Sequence, residues 1–463
     1  MSKSTEPAAI QASEEYTGRY LVMMPNSNNT AKQAEAFREA TGLQMMRSSD
    51  FKDSVVSSTD FEQQEAIYLE ELGVAVVNAK PQQLSSLSVM ADDNESYIVE
   101  PERVVRALNS SDYLKGFKDA VDVLVEKLGQ GGQETTASFD KIGVEANGST
   151  WGLQQTNVVH PNRFREFTGK GIRVAVLDTG MDLSHPDFAG RKIITASFID
   201  GESVQDGHGH GTHCIGTACG PLNPVDPTIP RYGIAYESII YAGKVLSNAG
   251  SGSDGGILAG INWALANKCE VISMSLGAST SQPGFSQIFE NVAANVLAKG
   301  TLIVAAAGND SNRPGFVRPV SHPANCPSIM AVGAVNKTGK VARFSNRGIH
   351  APYGNVDIAG PGEGVFSSTK LPEKYVTWNG TSMATPHVAG IAALLAQQSK
   401  SNRGFALWKK LLSMAKPLHE PTTDVGAGLV QAPLVPIRIV FPPSQVPVSD
   451  TIPQPDQTIS EAL

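Results

Sequence analysis

Over residues 19–108 apolar positions come in short groups separated by polar, helix-compatible stretches. Arg19-Tyr20-Leu21-Val22-Met23-Met24 alternates and is stopped by Pro25, which predicts a strand. Thr30 is a candidate N-cap for a helix over Ala31–Thr41, and Gly42 closes it. The stretch 66–79 is interrupted by Gly73 and holds the strand-like run Val74-Ala75-Val76-Val77. Pro81 opens a second helix over about 82–90, and Tyr97-Ile98-Val99-Glu100-Pro101 ends the unit as extended chain. Strand, helix, strand, helix, strand predicts a small α+β, ferredoxin-like unit with two helices on one face of a sheet.

The pattern changes twice further on. Asp112–Leu128 reads as an amphipathic helix, and Gly129-Gln130-Gly131-Gly132-Gln133 as a flexible linker. From Thr168 onward short apolar runs alternate with helical stretches. Strands are expected at Val174–Asp178, Tyr236–Val245, Val271–Gly277, Leu302–Ala305, Ile329–Val335 and Val356–Ala359. Helices are expected at Ile257–Ala266, at about 285–299, and after Ser382. This alternation predicts an α/β domain with a mostly parallel sheet. Beyond Pro433 prolines and polar residues dominate, giving an extended or disordered tail. The resulting division is 1–18, 19–108, 109–147, 148–432 and 433–463.

Composition narrows the function classes. At 463 residues the chain exceeds one ordinary domain, and 41% hydrophobic content with 44 glycines and 28 prolines suits an α/β protein rich in tight turns. A net charge of −8 argues against nucleic acid as the main partner. No apolar run approaches the roughly 20 residues that cross a bilayer, so no membrane partner is expected. Residues 1–18 are polar and acidic without the apolar segment of a secretory signal, and the chain has four cysteines. Synthesis in the cytosol is expected, and export by a signal-independent route stays compatible with it. Cys214, Cys219, Cys269 and Cys326 match no common zinc spacing and read as reduced, mostly buried thiols.

The chemistry centres on Gly380-Thr381-Ser382-Met383-Ala384-Thr385-Pro386-His387. It sets a serine between a glycine turn and a small-residue helix, whose N-terminus would face an oxyanion formed there. Serine needs a base, and the base needs an orienting partner. Asp178 ends an apolar run where open α/β sheets place functional groups, although it could also be a helix N-cap. Asp206-Gly207-His208-Gly209-His210-Gly211-Thr212-His213-Cys214 supplies three histidines among glycines. A zinc cluster of His208, His210 and His213 is the competing idea, but no fourth ligand is evident. A nucleotide loop is discounted because this glycine run lacks the required lysine.

In the order Asp, His, Ser, and with Ala305-Ala306-Ala307-Gly308-Asn309-Asp310 between the last two, the chain resembles the subtilisin-like serine protease family (peptidase S8). The cysteine after the second motif histidine is similar to the proteinase K branch. The resemblance implies a three-layer subtilisin-like domain and a serine endopeptidase that cuts extended polypeptide. It implies Ser382 as nucleophile, His210 as base, Asp178 as its orienting acid and Asn309 as oxyanion donor. It further implies substrate edges at Gly250, Ser251, Gly252 and at Ser275, Leu276, Gly277, with Ala306 and Ser321 at the cleft. No acidic residue is evident in the Ser321-His322-Pro323-Ala324 pocket segment, so apolar or medium-sized residues are expected before the cut bond. No cofactor is required for this chemistry. Asp187 matches a position that often binds structural calcium, although the loop after Cys219 does not match. Placed before such a domain, residues 19–108 resemble an inhibitor I9-like propeptide, an intramolecular inhibitor of a monomeric zymogen. Processing is expected within 109–147, more narrowly between about Gly129 and Gly148. The rival is a permanently inhibited protease or pseudoprotease that serves as a binding module.

Overall fold

The computed structural model describes residues 13–24, 30–51, 55–93, 97–108, 148–160, 167–280, 283–349 and 353–434. The helix expected at 112–128, the linker at 129–133 and the tail from 435 lie outside the described residues, as do residues 1–12.

The N-terminal unit is built from β1 (Tyr16–Met23), α1 (Thr30–Thr41), β2 (Met45–Arg47), α2 (Ser58–Gln63), β3 (Ala66–Leu69), β4 (Val74–Val77), α3 (Pro81–Asp93) and β5 (Ile98–Ala107). Its strand order is β5-β1-β4-β3-β2. Without the short β2 and α2 this is the split βαββαβ, ferredoxin-like arrangement. Gly42 and Gly73 both sit at φ +73°, where their turns need a residue without a Cβ. The sequence pattern anticipated α1, α3 and the β4 run. It did not anticipate β2, α2 or the length of β5.

The alternation along these strands serves two cores. Val22, Ala75 and Val77 pack with Phe37 and Leu87 on the side of α1 and α3. Leu21, Ile67, Leu69, Val74 and Val76 point the other way, into the core of the larger unit. A side-chain period of two therefore makes each strand half of its own unit and half of the interface.

The larger unit carries a parallel sheet in the order β14-β13-β12-β10-β6-β8-β7. Its strands are β6 (Arg173–Asp178), β7 (Ile193–Ser197), β8 (Ile239–Lys244), β10 (Val271–Met274), β12 (Leu302–Ala306), β13 (Met330–Val335) and β14 (Ile358–Pro361). Two short cleft strands, β9 (Ser251–Ser253) and β11 (Leu276–Gly277), lie outside it. Ala175, Leu177, Ile272, Ile303 and Ala305 face one helical layer, which contains the Asp254–Ala266 and Gln287–Ala298 helices. Val174, Val176, Val271, Leu302 and Val304 face the other, which contains the His210–Cys219, Thr381–Gln398 and Gly404–Met414 helices. Burial on both faces explains why these strands read as continuous apolar runs rather than alternating ones. Each such Val, Leu or Ile contributes about 1.5–3 kcal/mol of transfer free energy. The result is the expected three-layer α/β domain.

The two units share a sheet. β5 runs on beyond Pro101 and lies between β9 and β11, antiparallel to both, with Val105 opposite Gly252 and Ala107 opposite Leu276. Glu100 accepts from the Gln287 N–H at 2.7 Å, and Glu102 accepts from the Gly255 N–H at 2.8 Å. Each carboxylate thus caps the N-terminus of a helix in the other unit. Glu102 is wholly buried and is also held by Arg19 Nε at 2.6 Å.

Candidate active site

Asp178 is the last residue of β6, and no helix starts after it, so the N-cap alternative does not apply. Its Oδ1 lies 2.7 Å from His210 Nδ1 and also accepts from the Thr179 N–H at 2.7 Å. His210 opens the His210–Cys219 helix, whose N-cap Gly209 has φ +101°. The two segments approach so closely that a Cβ on Gly211 would stand 2.2 Å from the Gly180 carbonyl oxygen. Asp206 ties them together: Oδ1 accepts from Thr179 Oγ1 at 2.9 Å and the Gly209 N–H at 2.7 Å. Its Oδ2 takes the Thr212 N–H and hydroxyl at 2.9 and 2.7 Å. This positioning role of Asp206 was missed from sequence, although the residue opens the quoted histidine motif.

His210 is wholly buried. Burial works against its charged form, but the adjoining Asp178 carboxylate outweighs this and lifts it well above the usual imidazole range. His210 Nε2 has no hydrogen-bond partner among the described residues. Trp378, at the end of a strand over Tyr375–Trp378, stacks over both His210 and His213, with ring centroids 6.2 and 4.9 Å away. His213 turns Nε2 to the Val365 carbonyl at 3.2 Å, and burial followed by neighbouring His210 pushes it down to about 3. It stays neutral and packs beneath the site. Among the described residues, the close group of potential metal-binding atoms is Asp178, His210 and Cys214, not the three histidines.

Ser382 sits in the first turn of the Thr381–Gln398 helix. Pro386, four residues on, has no N–H to give to the Ser382 carbonyl. That carbonyl is satisfied instead by Ser275 Oγ at 2.9 Å and Cys214 Sγ at 3.5 Å. Burial raises the Cys214 thiol above its ordinary value, so it remains a protonated donor. Both side chains replace one helical hydrogen bond and so fix the Ser382 backbone.

Ser382 Oγ does not turn to His210. It donates to the Leu108 carbonyl and, at 3.0 Å, lies on the Ser275 carbonyl. Asn309 Nδ2 donates to the same Leu108 carbonyl at 2.7 Å. The Asn309 amide is oriented by its Oδ1, which accepts from the Thr381 N–H and hydroxyl, both at 2.9 Å. Leu108 is the residue that sequence reasoning missed most plainly. Nothing in Ala107-Leu108-Asn109 signals it.

The expected substrate edges lie along β5. Gly250 accepts from the Ala107 N–H at 2.9 Å, Ser251 and Gly252 pair with Arg106 and Val105, and Ser275 accepts from the Leu108 N–H at 3.2 Å. Leu276 and Gly277 pair with Ala107 and Arg106, and Leu108 Cδ1 would lie 3.2 Å from a Cβ on Gly277. Ala306 ends β12 and is wholly buried. Ser321 Oγ lies 3.3 Å from Asp310 Oδ2, so an acid does adjoin the pocket segment, supplied by the oxyanion motif. Asp187 does not suit calcium. Val225 N–H, Tyr232 OH and Tyr375 OH donate to it at 2.7, 2.5 and 2.9 Å, whereas calcium takes oxygen acceptors around it. The carboxylate instead ties the loop after Cys219 to the strand before Ser382.

Residues 169–428 match the model of the subtilase family, peptidase S8. Subtilisin of Bacillus pumilus is 42% identical over 266 residues, covering 57% of this chain and 90% of that protein. Subtilisin Savinase of Lederbergia lenta is 39% identical over 283 residues, 61% of this chain and 96% of that one. Alkaline elastase YaB of Bacillus sp. (strain YaB) is 40% identical over 284 residues, covering 61% and 68%.

Proposed function

The chain belongs to the subtilase family and is a serine endopeptidase acting on polypeptides, and from that premise we propose that Ser382, His210, Asp178 and Asn309 carry the reaction and that residues 13–108 hold the enzyme as a self-inhibited zymogen. The N-terminal unit is an I9-like propeptide in this reading, and Cys214 puts the second motif near the proteinase K branch.

One observation carries the proposal. The Leu108 carbonyl sits where an attacked carbonyl would sit, between the Ser382 hydroxyl and the Asn309 amide, at the end of a strand held on both edges. Peptide recognition by strand addition works in this way. For attack, the Ser382 hydroxyl rotates from the Leu108 oxygen toward His210 Nε2, which takes its proton as Oγ bonds to the carbonyl carbon. Asp178 holds the imidazole by Nδ1 and stabilises the imidazolium. Asn309 Nδ2 and the helix N-terminus stabilise the oxyanion. The imidazolium then protonates the leaving amine, and water repeats the cycle on the acyl-enzyme. The scheme uses no cofactor.

The first bond cut is then Leu108–Asn109, upstream of the 129–148 window that the glycine-rich stretch suggested. Intact mass of purified wild type beside Ser382→Ala tests this. Wild type is expected to separate into residues up to 108 and a fragment beginning at Asn109, while the variant stays full length. A wild-type cut confined to 129–148 would overturn the Leu108 assignment. Full-length protein in both would overturn self-processing and favour permanent inhibition.

A further inference from the structure

On that reading, the strand ending at Leu108 is a cast of what the cleft accepts. Counting back from the bond after Leu108, Leu108 is P1, Val105 is P4 and Arg103 is P6. Main-chain pairing with β9 accompanies this strand as far as Val104 opposite Ser253. There the larger unit turns into the Asp254–Ala266 helix, and its first residue faces P6.

The Asp254 side chain is wholly buried. Its Oδ1 lies 2.9 Å from His322 Nε2, and the edge-on ring of Phe289, 4.6 Å away, fixes that imidazole. Its Oδ2 accepts from the Arg103 N–H at 3.0 Å and lies 3.7 Å from Arg103 Nη1. One carboxylate of the larger unit therefore meets both the backbone and the charge of P6. Glu102 differs in kind. It belongs to the N-terminal unit, has its own cation in Arg19, and leaves with that unit. Asp254 stays behind, with Oδ1 held by His322 and Oδ2 turned to the cleft.

We propose that Asp254, positioned by His322, forms an extended subsite that selects polypeptides with Arg or Lys six residues before the cut bond. Any residue at P6 except proline can give its N–H to Oδ2. A guanidinium or ammonium adds a charge contact of low dielectric screening, and a glutamate sets like charges against each other.

The test uses full-length protein that has processed itself, with p-nitroanilides of Xaa-Val-Val-Arg-Ala-Leu in which Xaa is Arg, Ala or Glu. The Arg peptide is expected to exceed the Ala peptide in kcat/KM by roughly fivefold, mostly through KM, with the Glu peptide lower again. In Asp254→Asn, where the amide can still accept the backbone N–H, the three are expected to converge. Equal values for the three peptides on wild type would overturn the subsite while leaving the protease intact, and this comparison does not depend on how the variant folds. A spread that persists unchanged in Asp254→Asn would also overturn it. Hydrolysis of none of the peptides would sink the Leu108 register on which the subsite rests, and the subsite with it.

Discussion

The two sheets of this molecule are completed in opposite ways. The parallel sheet of the larger unit has helices on both faces, all drawn from that unit. The N-terminal sheet covers one face with α1 and α3 and leaves Leu21, Ile67, Leu69, Val74 and Val76 to be covered by the other unit. The active site is divided along the same line. Asp178, His210 and the Asp206 knot are closed by contacts within the larger unit. Ser382 and Asn309 instead spend their donors on Leu108, the end of the N-terminal unit. One half of the proposed machinery is complete in itself, and the other is occupied by the end of the N-terminal unit.

The strongest way to break this comparison is Glu102→Ala in a Ser382→Ala background. It leaves Arg19 without its buried carboxylate and takes from the first turn of the Asp254–Ala266 helix the acceptor of the Gly255 N–H. Docking of the N-terminal unit should weaken by about 3–5 kcal/mol. Limited proteolysis should then remove residues up to 108 while the larger unit resists, and an unchanged digestion pattern would show that the interface does not depend on this group.

Next comes the half of the site that faces Leu108. Asn309→Ala should lower kcat by about 10²–10³-fold, or 2.7–4 kcal/mol of transition-state stabilisation. A loss of less than threefold against a peptide substrate would remove Asn309 from the oxyanion site.

The enclosed half predicts a pH effect. His210 accepts a proton only when neutral, and its folded-state value lies well above the ordinary 6.5 while the site is covered. Self-processing of the full chain should therefore rise with pH through a midpoint above about 6.5, roughly tenfold per unit on the acid side. A midpoint below 6 would mean that Asp178 does not hold the imidazolium as the geometry implies.

The smallest effect probes the self-contained core. Asp357 accepts from the Ala331 N–H at 2.8 Å, and burial pushes its carboxyl up to about 7. The folded state then binds more protons than the unfolded one between about pH 4 and 7, so this group's contribution to stability falls as pH rises through that window. Asp357→Asn should raise the melting temperature at pH 8 and change it little at pH 4, with the N-terminal unit still bound in a Ser382→Ala chain. Equal shifts at both values would count against the raised carboxyl of this half-buried acid.

Much of this was legible from local pattern. Asp178, His210, Ser382 and Asn309 each lie in a short run whose glycines and small residues are there for steric reasons, and those reasons act within a few residues. The parallel sheet was legible because strands buried on both faces need continuous apolar runs. The acid beside the pocket, Asp310, was not. It reaches Ser321 only because β12 ends beside that loop.

What the sequence determined by itself is most of the elements and the choice of Ser382, His210, Asp178 and Asn309 as candidate nucleophile, base, acid and amide, because helix caps, strand periodicity and tight glycine turns are decided over a few residues. What only the tertiary structure decided is where β5 ends and what it does there. Read alone, that strand stops at Pro101, because a proline gives no ladder hydrogen bond. In the folded molecule it continues to Ala107, because Ser251–Ser253 and Leu276–Gly277, remote in sequence, supply both of its edges. Those edges carry Leu108 to Ser382. No property of residues 102–108 taken alone could indicate it, since the hydrogen bonds that make the segment a strand belong to its partners.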